Sequence, residues 1–423
     1  MTNTFNSPYT IKKTSILAFT VVLVSFLAVD MWLEIKFSST WTAQLLKNII
    51  LTLPFIWGCK YITQNTIRNN KWVAAYICWV CIVCIIGLFE CYSKNNLANF
   101  LVNTPGTILI ISCLYIAKPN LLLKIATYWK YYSLPLLIII IITCKINDVY
   151  GFYLCFLQIY LLFFKTLNRK SKIITLLLLL FILFFSLEAR SHIIKYGIAF
   201  IIGLLAYIKT NRLIFIAKIG RIFCLIVPIF FFILGVTKTF NIFEIGEQNG
   251  SNKNEALADT RTFIYVEAIT SALTNHYLWQ GRTPAHGYDS YFQVGFFEEA
   301  GNIAKKDTVE RTQSEVSIIN IFTWYGAIGV FLYYMLFWTC SKKAIYQSNN
   351  KYIILVGLYL AFRWTYAWIE DFNSLDSSNI VLWIIISLSI LPYFRKMSNN
   401  QIEDIFNLSS TYKCNFLGAD NKQ

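Results

Sequence analysis

The sequence predicts an all-α fold: a polytopic transmembrane helical bundle of about 12 spans with one large extracytoplasmic loop. Three observations predict it. Apolar runs of roughly 16–22 residues recur along the chain, near the ~20 residues that a helix needs to cross the hydrocarbon core of a bilayer. Hydrophobic residues make up 57% of the 423 positions and charged residues 14%, whereas a soluble domain carries about 25% charged residues. Polar residues outside the short connections gather in one segment, 241–314.

The runs place spans near 14–32, 43–62, 72–92, 97–117, 129–144, 149–164, 173–188, 193–208, 221–238, 316–339, 352–369 and 379–394. The first is long and has no small-x-small cleavage site, so it reads as a retained helix and not as a signal peptide. The second contains Lys47 and a kink at Pro54. The third carries Cys78, Cys81, Cys84 and Cys91, which read as small packing residues and not as metal ligands. The start of the ninth overlaps Lys218 and Arg221. The loop itself has no cysteine, so no disulfide staples it. Within it, Thr262 to Trp279 has helical periodicity, with Val266, Ile269, Leu273 and Tyr277 on one face and Asp259 as N-cap. That pattern suits an amphipathic helix lying on the membrane surface. Gly281 to Gly287 is turn chemistry, and Glu298 to Glu310 has no period and reads as a flexible segment. The organisation is therefore spans one to nine over 1–240, the large loop over 241–314, spans ten to twelve over 315–396 and a polar tail over 397–423 without expected order.

Charge sets the orientation. With the N-terminus inside, alternate connections hold Lys12 and Lys13; Arg68 and Lys71; Lys118, Lys124 and Lys130; Lys165, Arg169, Lys170 and Lys172; Lys209, Arg212, Lys218 and Arg221; Lys342, Lys343 and Lys351; Arg395 and Lys396. The intervening short connections hold Lys36, Lys94, Lys145 and Arg190. This asymmetry predicts both termini in the cytoplasm and the large loop outside. The net charge of +15 is thus spread over topology-setting connections. It forms no basic stripe on a soluble domain, so a nucleic-acid partner is not expected.

Six ionisable residues stand out. Arg190 follows the seventh span, Arg261 opens the loop helix, Arg282 lies in the turn, Arg311 and Glu315 precede the tenth span, and Arg363 lies inside the eleventh. Arginine offers a planar fork of donors and a permanent charge, which suit phosphate oxygens. A charge within a span persists only with a partner or a watery cavity, and Glu370, seven residues on, shares the face of Arg363. Glu315 has the position of a general base, or of a helix-end carboxylate favoured by the macrodipole. The three histidines, His192, His276 and His286, have no metal-ligand spacing.

The segment Asp259-Thr-Arg-Thr-Phe-Ile-Tyr-Val-Glu-Ala, then Gly281 and Gly287, Glu315 to Asn320, and Trp324-Tyr-Gly-Ala-Ile-Gly329 resembles the bacterial O-antigen polymerase and ligase superfamily. So does an arginine at the outer start of a helix, here Arg190, and so does the plan of about a dozen helices with one large loop late in the chain. The resemblance implies transfer of a glycan from an undecaprenyl-diphosphate carrier, inverting and without metal or other cofactor, at the periplasmic face of the inner membrane. It implies lipid-linked oligosaccharides and the bilayer as partners, with a chain-length regulator protein beside them. Ligases of this group carry a histidine about eleven residues before the glycine matching Gly326. Here that position is Glu315, which favours the polymerase branch over transfer to lipid A core. On this reading Glu315 is catalytic, and Arg190, Arg261, Arg311, Arg363, Arg282, Trp279 and Tyr288 bind diphosphate or glycan, the aromatics by stacking on sugar faces, as Tyr277 would too.

Two other classes remain open. A flippase of lipid-linked sugars would show repeats, broken helices and charges near the midplane. A membrane acyltransferase would need a stronger His or Ser-His motif than this sequence offers.

Overall fold

The computed structural model describes residue 52 and residues 70–108, 119–143, 149–185, 190–236, 262–291 and 309–410. The first expected span and most of the second, the stretch 237–261 and most of the acidic-basic stretch before Val309 lie outside the described residues. The fold is mostly helical, with one two-stranded ribbon.

Helix α1 spans Lys71–Phe89 and buries Val73, Tyr76, Val80, Val83, Cys84 and Gly87, a stripe at three- and four-residue spacing. Its other face leaves Ile82, Ile85, Leu88 and Phe89 exposed. α2 is Lys94–Ile108. α3, Pro119–Tyr128, runs through a π turn at Trp129–Ser133 into α4, Leu134–Thr143. The expected sixth span is broken into α5, Val149–Tyr153, α6, Leu157–Leu162, and a 3-10 turn at Phe164–Thr166. α7 is Arg169–Phe185, α8 Arg190–Leu204 and α9 Thr210–Val236. After the loop helix α10, Thr262–Thr274, strands β1 (Tyr288–Ser290) and β2 (Val309–Arg311) pair antiparallel. α11 is Ser317–Tyr346, α12 Lys351–Tyr366, α13 Ser377–Ile390, α14 Pro392–Lys396 and α15 Asn399–Ser410.

α12 and α13 form the centre. Every residue of α13 is buried, as expected of a helix that is apolar all round and enclosed by protein. α9 and α11 pack on α12, and α1 packs on α11. On the perimeter, α7 and α9 expose Ile173, Leu177, Phe184, Phe215, Phe223 and Phe230, a surface suited to acyl chains rather than water.

Among the described residues four helices are long and apolar enough to cross a membrane: Lys71–Phe89, Ile125–Thr143, Thr210–Ile233 and Ser317–Tyr346. The expected count of about 12 is not met by that measure. The first expected span, most of the second and the ends of the fourth and seventh lie outside the described residues. Among the described residues the sixth expected span is interrupted by turns, and the apolar stretches Ser191–Tyr207 and Ser377–Ile390 are short.

Two further expectations change. The described part of the tail, up to Ser410, is ordered: α15 packs against α3, with Ile402 buried and the Tyr352 hydroxyl donating to Glu403. Ser398 and Gln401 cap it reciprocally, Ser398 N–H to Gln401 Oε1 at 2.9 Å and Gln401 N–H to Ser398 Oγ at 3.3 Å. The loop helix ends at Thr274 and buries Ile264, Ala268 and Ala272, while Val266 and Leu273 are exposed. The face that packs also carries Glu267 and Ser271, whose partners lie on and beside β1: Ser290 Oγ at 2.8 Å and Tyr291 N–H at 3.0 Å for Glu267, and Asp289 N–H at 3.0 Å for Ser271. Hydrophobic periodicity is blind to such satisfied polar groups.

Candidate functional site

The described helices alternate between two ends. At one end lie Glu90, Asn96, Ser191, Glu370 and Ser374 with the large loop; at the other lie Asn70, Lys343, Gln347, Asn350 and Arg395. The candidate site is at the loop-bearing end.

A backbone interlock fixes the loop there. α11 is broken at Gly326, with φ 67° and ψ −171°. The break frees carbonyls and N–H groups that must be satisfied inside an apolar bundle. The segment around Gly281 (φ 81°) enters it: Arg282 N–H donates to Thr323 O at 2.7 Å, Thr283 N–H to Trp324 O at 3.2 Å, and Ala327 N–H to Leu278 O at 2.8 Å. The indole N–H of Trp79 takes the Tyr325 carbonyl at 2.9 Å. From α2, Asn103 Nδ2 donates to Pro284 O at 3.1 Å, and Thr283 Oγ1 donates to Glu90 at 2.8 Å. The turn Gly281–Gly287 is thereby seated between α1, α2 and α11.

The ribbon divides the loop chemistry in two, because alternate side chains of a strand point to opposite faces. Tyr288 pairs with Arg311, and Asp289 with Glu310. On the first face, Arg311 Nη2 donates to both oxygens of Glu315 at 2.6 Å, and the Glu315 side chain is 61% exposed. Tyr288 is buried against Ile264, Ala268, Val316 and Ile319. It therefore offers no open ring face to a sugar, and Tyr277, also buried, donates its hydroxyl to Ser271 at 2.7 Å. Trp279, by contrast, is 68% exposed.

On the second face two carboxylates, Asp289 and Glu310, stand opposite each other, an arrangement that costs free energy unless cations or donors answer it. Arg282 Nη1 donates to Asp289 at 2.9 Å, and Asn275 Nδ2 does so at 2.7 Å. His286 Nδ1 lies 3.1 Å from Glu310 Oε1, and Gly287 N–H donates to the same oxygen at 2.6 Å. Burial pushes the Glu310 carboxyl up, but the His286 and Gly287 bonds outweigh it and hold the group below its ordinary value. Glu310, expected in a flexible segment, is thus among the best-anchored carboxylates of the loop.

Beneath the loop lies a buried polar cluster. The expectation that Glu370 shares a helix face with Arg363 fails because α12 ends at Tyr366. Glu370 instead accepts from Lys195 Nζ at 3.1 Å and from the Tyr366 hydroxyl, and Tyr366 also donates to Ser191 O at 2.9 Å. Burial would raise the Glu370 carboxyl, yet Lys195, then His192 and Tyr366, bring it down to about 2. Arg363 is fully buried. Its Nη1 donates to Gln158 Oε1 at 3.2 Å and its Nη2 to Ser378 Oγ at 3.4 Å, and its guanidinium lies 4.2 Å from the Phe372 ring centre. Its Nε has no hydrogen-bond partner among the described residues. Asp376 caps α13 through Asn379 N–H at 2.8 Å, and burial raises its carboxyl to about 7.

The two layers are laced together. Ser317 N–H reaches Glu370 O at 3.4 Å, Phe372 N–H reaches Ser317 Oγ at 3.0 Å, and Gln313 Nε2 bonds Asp371 at 3.0 Å and Ser374 at 2.7 Å. Glu315 and Glu370 therefore belong to one connected framework. Arg261 lies outside the described residues; Arg190 opens α8, and its side chain lies outside them too. Lys195 was not among the residues singled out from the sequence, although a lysine inside an expected span carries the same signal that drew attention to Arg363. Among the described residues no group of three or more His, Cys, Asp or Glu is placed to hold a metal ion. No protein-family model, curated protein or solved structure matches the chain.

Proposed function

We propose that the chain is a membrane glycosyltransferase that polymerises lipid-diphosphate-linked oligosaccharide units at the loop-bearing end, as an O-antigen, capsule or exopolysaccharide polymerase does. The observation that carries the reading is the Gly281–Gly326 interlock. It fixes a loop rich in paired acids and bases on the mouth of an apolar bundle, and transfer from a lipid carrier needs positioned polar groups at a membrane surface. On this reading the loop-bearing end faces the periplasm, about 12 crossings put both termini in the cytoplasm of a bacterium, and the undecaprenyl carrier enters from the bilayer. Arg190 and Arg261 hold the donor diphosphate and stabilise the charge of the leaving group. Arg282 and Arg311 have carboxylate partners of their own, so they shape the loop and bind an anion only by exchanging those partners. The test is chain length in cells: Arg190→Ala and Arg261→Ala variants that accumulate in the membrane should make no long polymer.

A second reading has its own observation. The broken α11 and the buried charges Lys195, Arg363 and Glu370 are features of transporters. The break in α11 is filled by loop backbone, which favours a fixed scaffold over a moving gate. Reconstituted protein separates the two, because only an enzyme lengthens the glycan.

A further inference from the structure

The side chains around His286 assign its tautomer and hold its ring between α2 and the ribbon. The Ser93 hydroxyl donates to Asn96 Oδ1, so Asn96 Nδ2 is the atom turned to the imidazole. Nδ2 lies 3.1 Å from His286 Nε2 and 3.5 Å from Nδ1; because an amide nitrogen only donates, the nearer Nε2 is assigned as the accepting nitrogen. Nδ1 then carries the proton, directed at Glu310 Oε1 3.1 Å away. Glu310 is pinned by Gly287 N–H, and the turn bearing His286 is pinned by α2 through Pro284 O. An imidazole whose Nδ1 is oriented by a carboxylate, while its Nε2 lone pair meets only a side-chain amide, has the geometry of a general base once a substrate hydroxyl takes the place of that amide. The His286 side chain is 22% exposed and the Glu310 side chain 35%, so both are reachable from outside the bundle. Glu315 is more exposed, at 61%, but both of its oxygens are tied to the Arg311 guanidinium, a cation that competes with an incoming proton and so weakens it as a proton acceptor.

Resting on the transfer reading above, we propose that His286 is the proton acceptor of the reaction and Glu310 the residue that positions it. A sugar hydroxyl of the acceptor replaces Asn96 Nδ2 at Nε2. Its proton passes to Nε2 while its oxygen bonds to the anomeric carbon of the donor. The bond from that carbon to the diphosphate oxygen breaks, and the lipid diphosphate leaves with the electron pair. The imidazolium faces Glu310 and returns its proton to solvent once the product has moved. The charged and titratable groups around it are Glu310 and Asp289 on the ribbon, Arg282 and Tyr277 on the preceding segment, and Glu90 at the end of α1, tied to Thr283.

The experiment uses the full-length protein in liposomes with lipid-linked repeat units extracted from cells blocked in polymerisation. Elongation rate against pH and substrate binding are measured for the parent, His286→Gln, Glu310→Gln, Glu310→Ala and Glu315→Gln, each first shown to be monodisperse. The inference expects His286→Gln to lose roughly 100-fold or more in rate, the scale of a removed general base, together with the acid limb of the profile. Glu310→Gln keeps an acceptor for Nδ1 and should retain most of the rate, whereas Glu310→Ala removes the acceptor and should lose it with substrate binding unchanged. Loss of fold alone would lower both variants and weaken substrate binding. An acid limb that persists in His286→Gln, or that vanishes in Glu315→Gln, overturns the assignment while leaving polymerase activity intact. A parent protein that binds the substrate and never elongates it overturns the transfer reading, and the assignment falls with it.

Discussion

Gly281 and Gly326 meet backbone to backbone, each with positive φ, and neither has room for a Cβ. A Cβ on Gly326 would lie 2.2 Å from Trp279 O, and one on Gly281 would lie 2.5 Å from Gly326 N. Two constraints coincide at each position: a conformation that L side chains disfavour and a collision with main chain that cannot yield. Gly326→Ala or Gly281→Ala should therefore cost about 2–4 kcal/mol. Limited proteolysis should show the loop cut faster than in the parent, and thermal unfolding in detergent should show the lower midpoint. Unchanged protection of the loop in both variants would contradict the interlock.

Lys195 and Glu370 form an ion pair sealed inside the bundle. Removing one partner strands the other charge, a loss of about 3–5 kcal/mol, whereas replacing both with apolar groups is often close to neutral. Lys195→Met and Glu370→Met should each lower the unfolding midpoint strongly, and the double variant should be more stable than either single. Simple additivity would show that the pair is not coupled.

Asp376 makes stability depend on pH in an identifiable direction. Its folded carboxyl is raised by burial to about 7 from the ordinary carboxylate value, so the folded state holds the proton more tightly than the unfolded state. Stability is then lost as pH rises from about 4 to 7 and is flat above. Asp376→Asn keeps a side-chain oxygen for the α13 cap and removes the ionisation. The melting midpoint of the variant should lose this slope between pH 5 and 7, where a native slope that survives the change would assign it elsewhere. Glu370 contributes with the opposite sign, but only as pH falls through the range from 4.5 to about 2.

Arg190→Lys separates charge from geometry. Lysine retains the positive charge and loses the planar fork that grips a diphosphate. Polymer length should drop in Arg190→Lys as well as in Arg190→Ala, with both proteins present at parental levels. Full-length polymer from the lysine variant would reduce the role of Arg190 to a charge at the helix start.

The alternation of basic connections was legible in the sequence; the described structure groups Glu90 and Asn96 with the large loop, and Lys343 and Asn350 with the opposite end of the bundle. The break at Gly326 was not, because the surrounding residues are as apolar as an unbroken helix and the positive φ depends on a partner 45 positions away. Lys195 carried a readable signal, a charge inside an apolar run, but its partner sits at the end of another helix. The helix after Ser398 was readable too: Ser398 and Gln401 have the spacing of a capping box, which the polarity of the tail obscured. For His286 and Glu310 no spacing rule applies, since the ribbon that brings them together forms between segments with no strand periodicity.

On the proposed function, a loop locked onto a membrane bundle transfers glycan from a lipid diphosphate. The most direct test is the purified protein in sealed liposomes, given native lipid-linked repeat units and nothing else. A polymerase should give a ladder of lengthened lipid-linked glycans with release of one lipid diphosphate per bond formed. Repeat units that cross the bilayer at their original length, with no diphosphate released, would contradict it and establish transport instead.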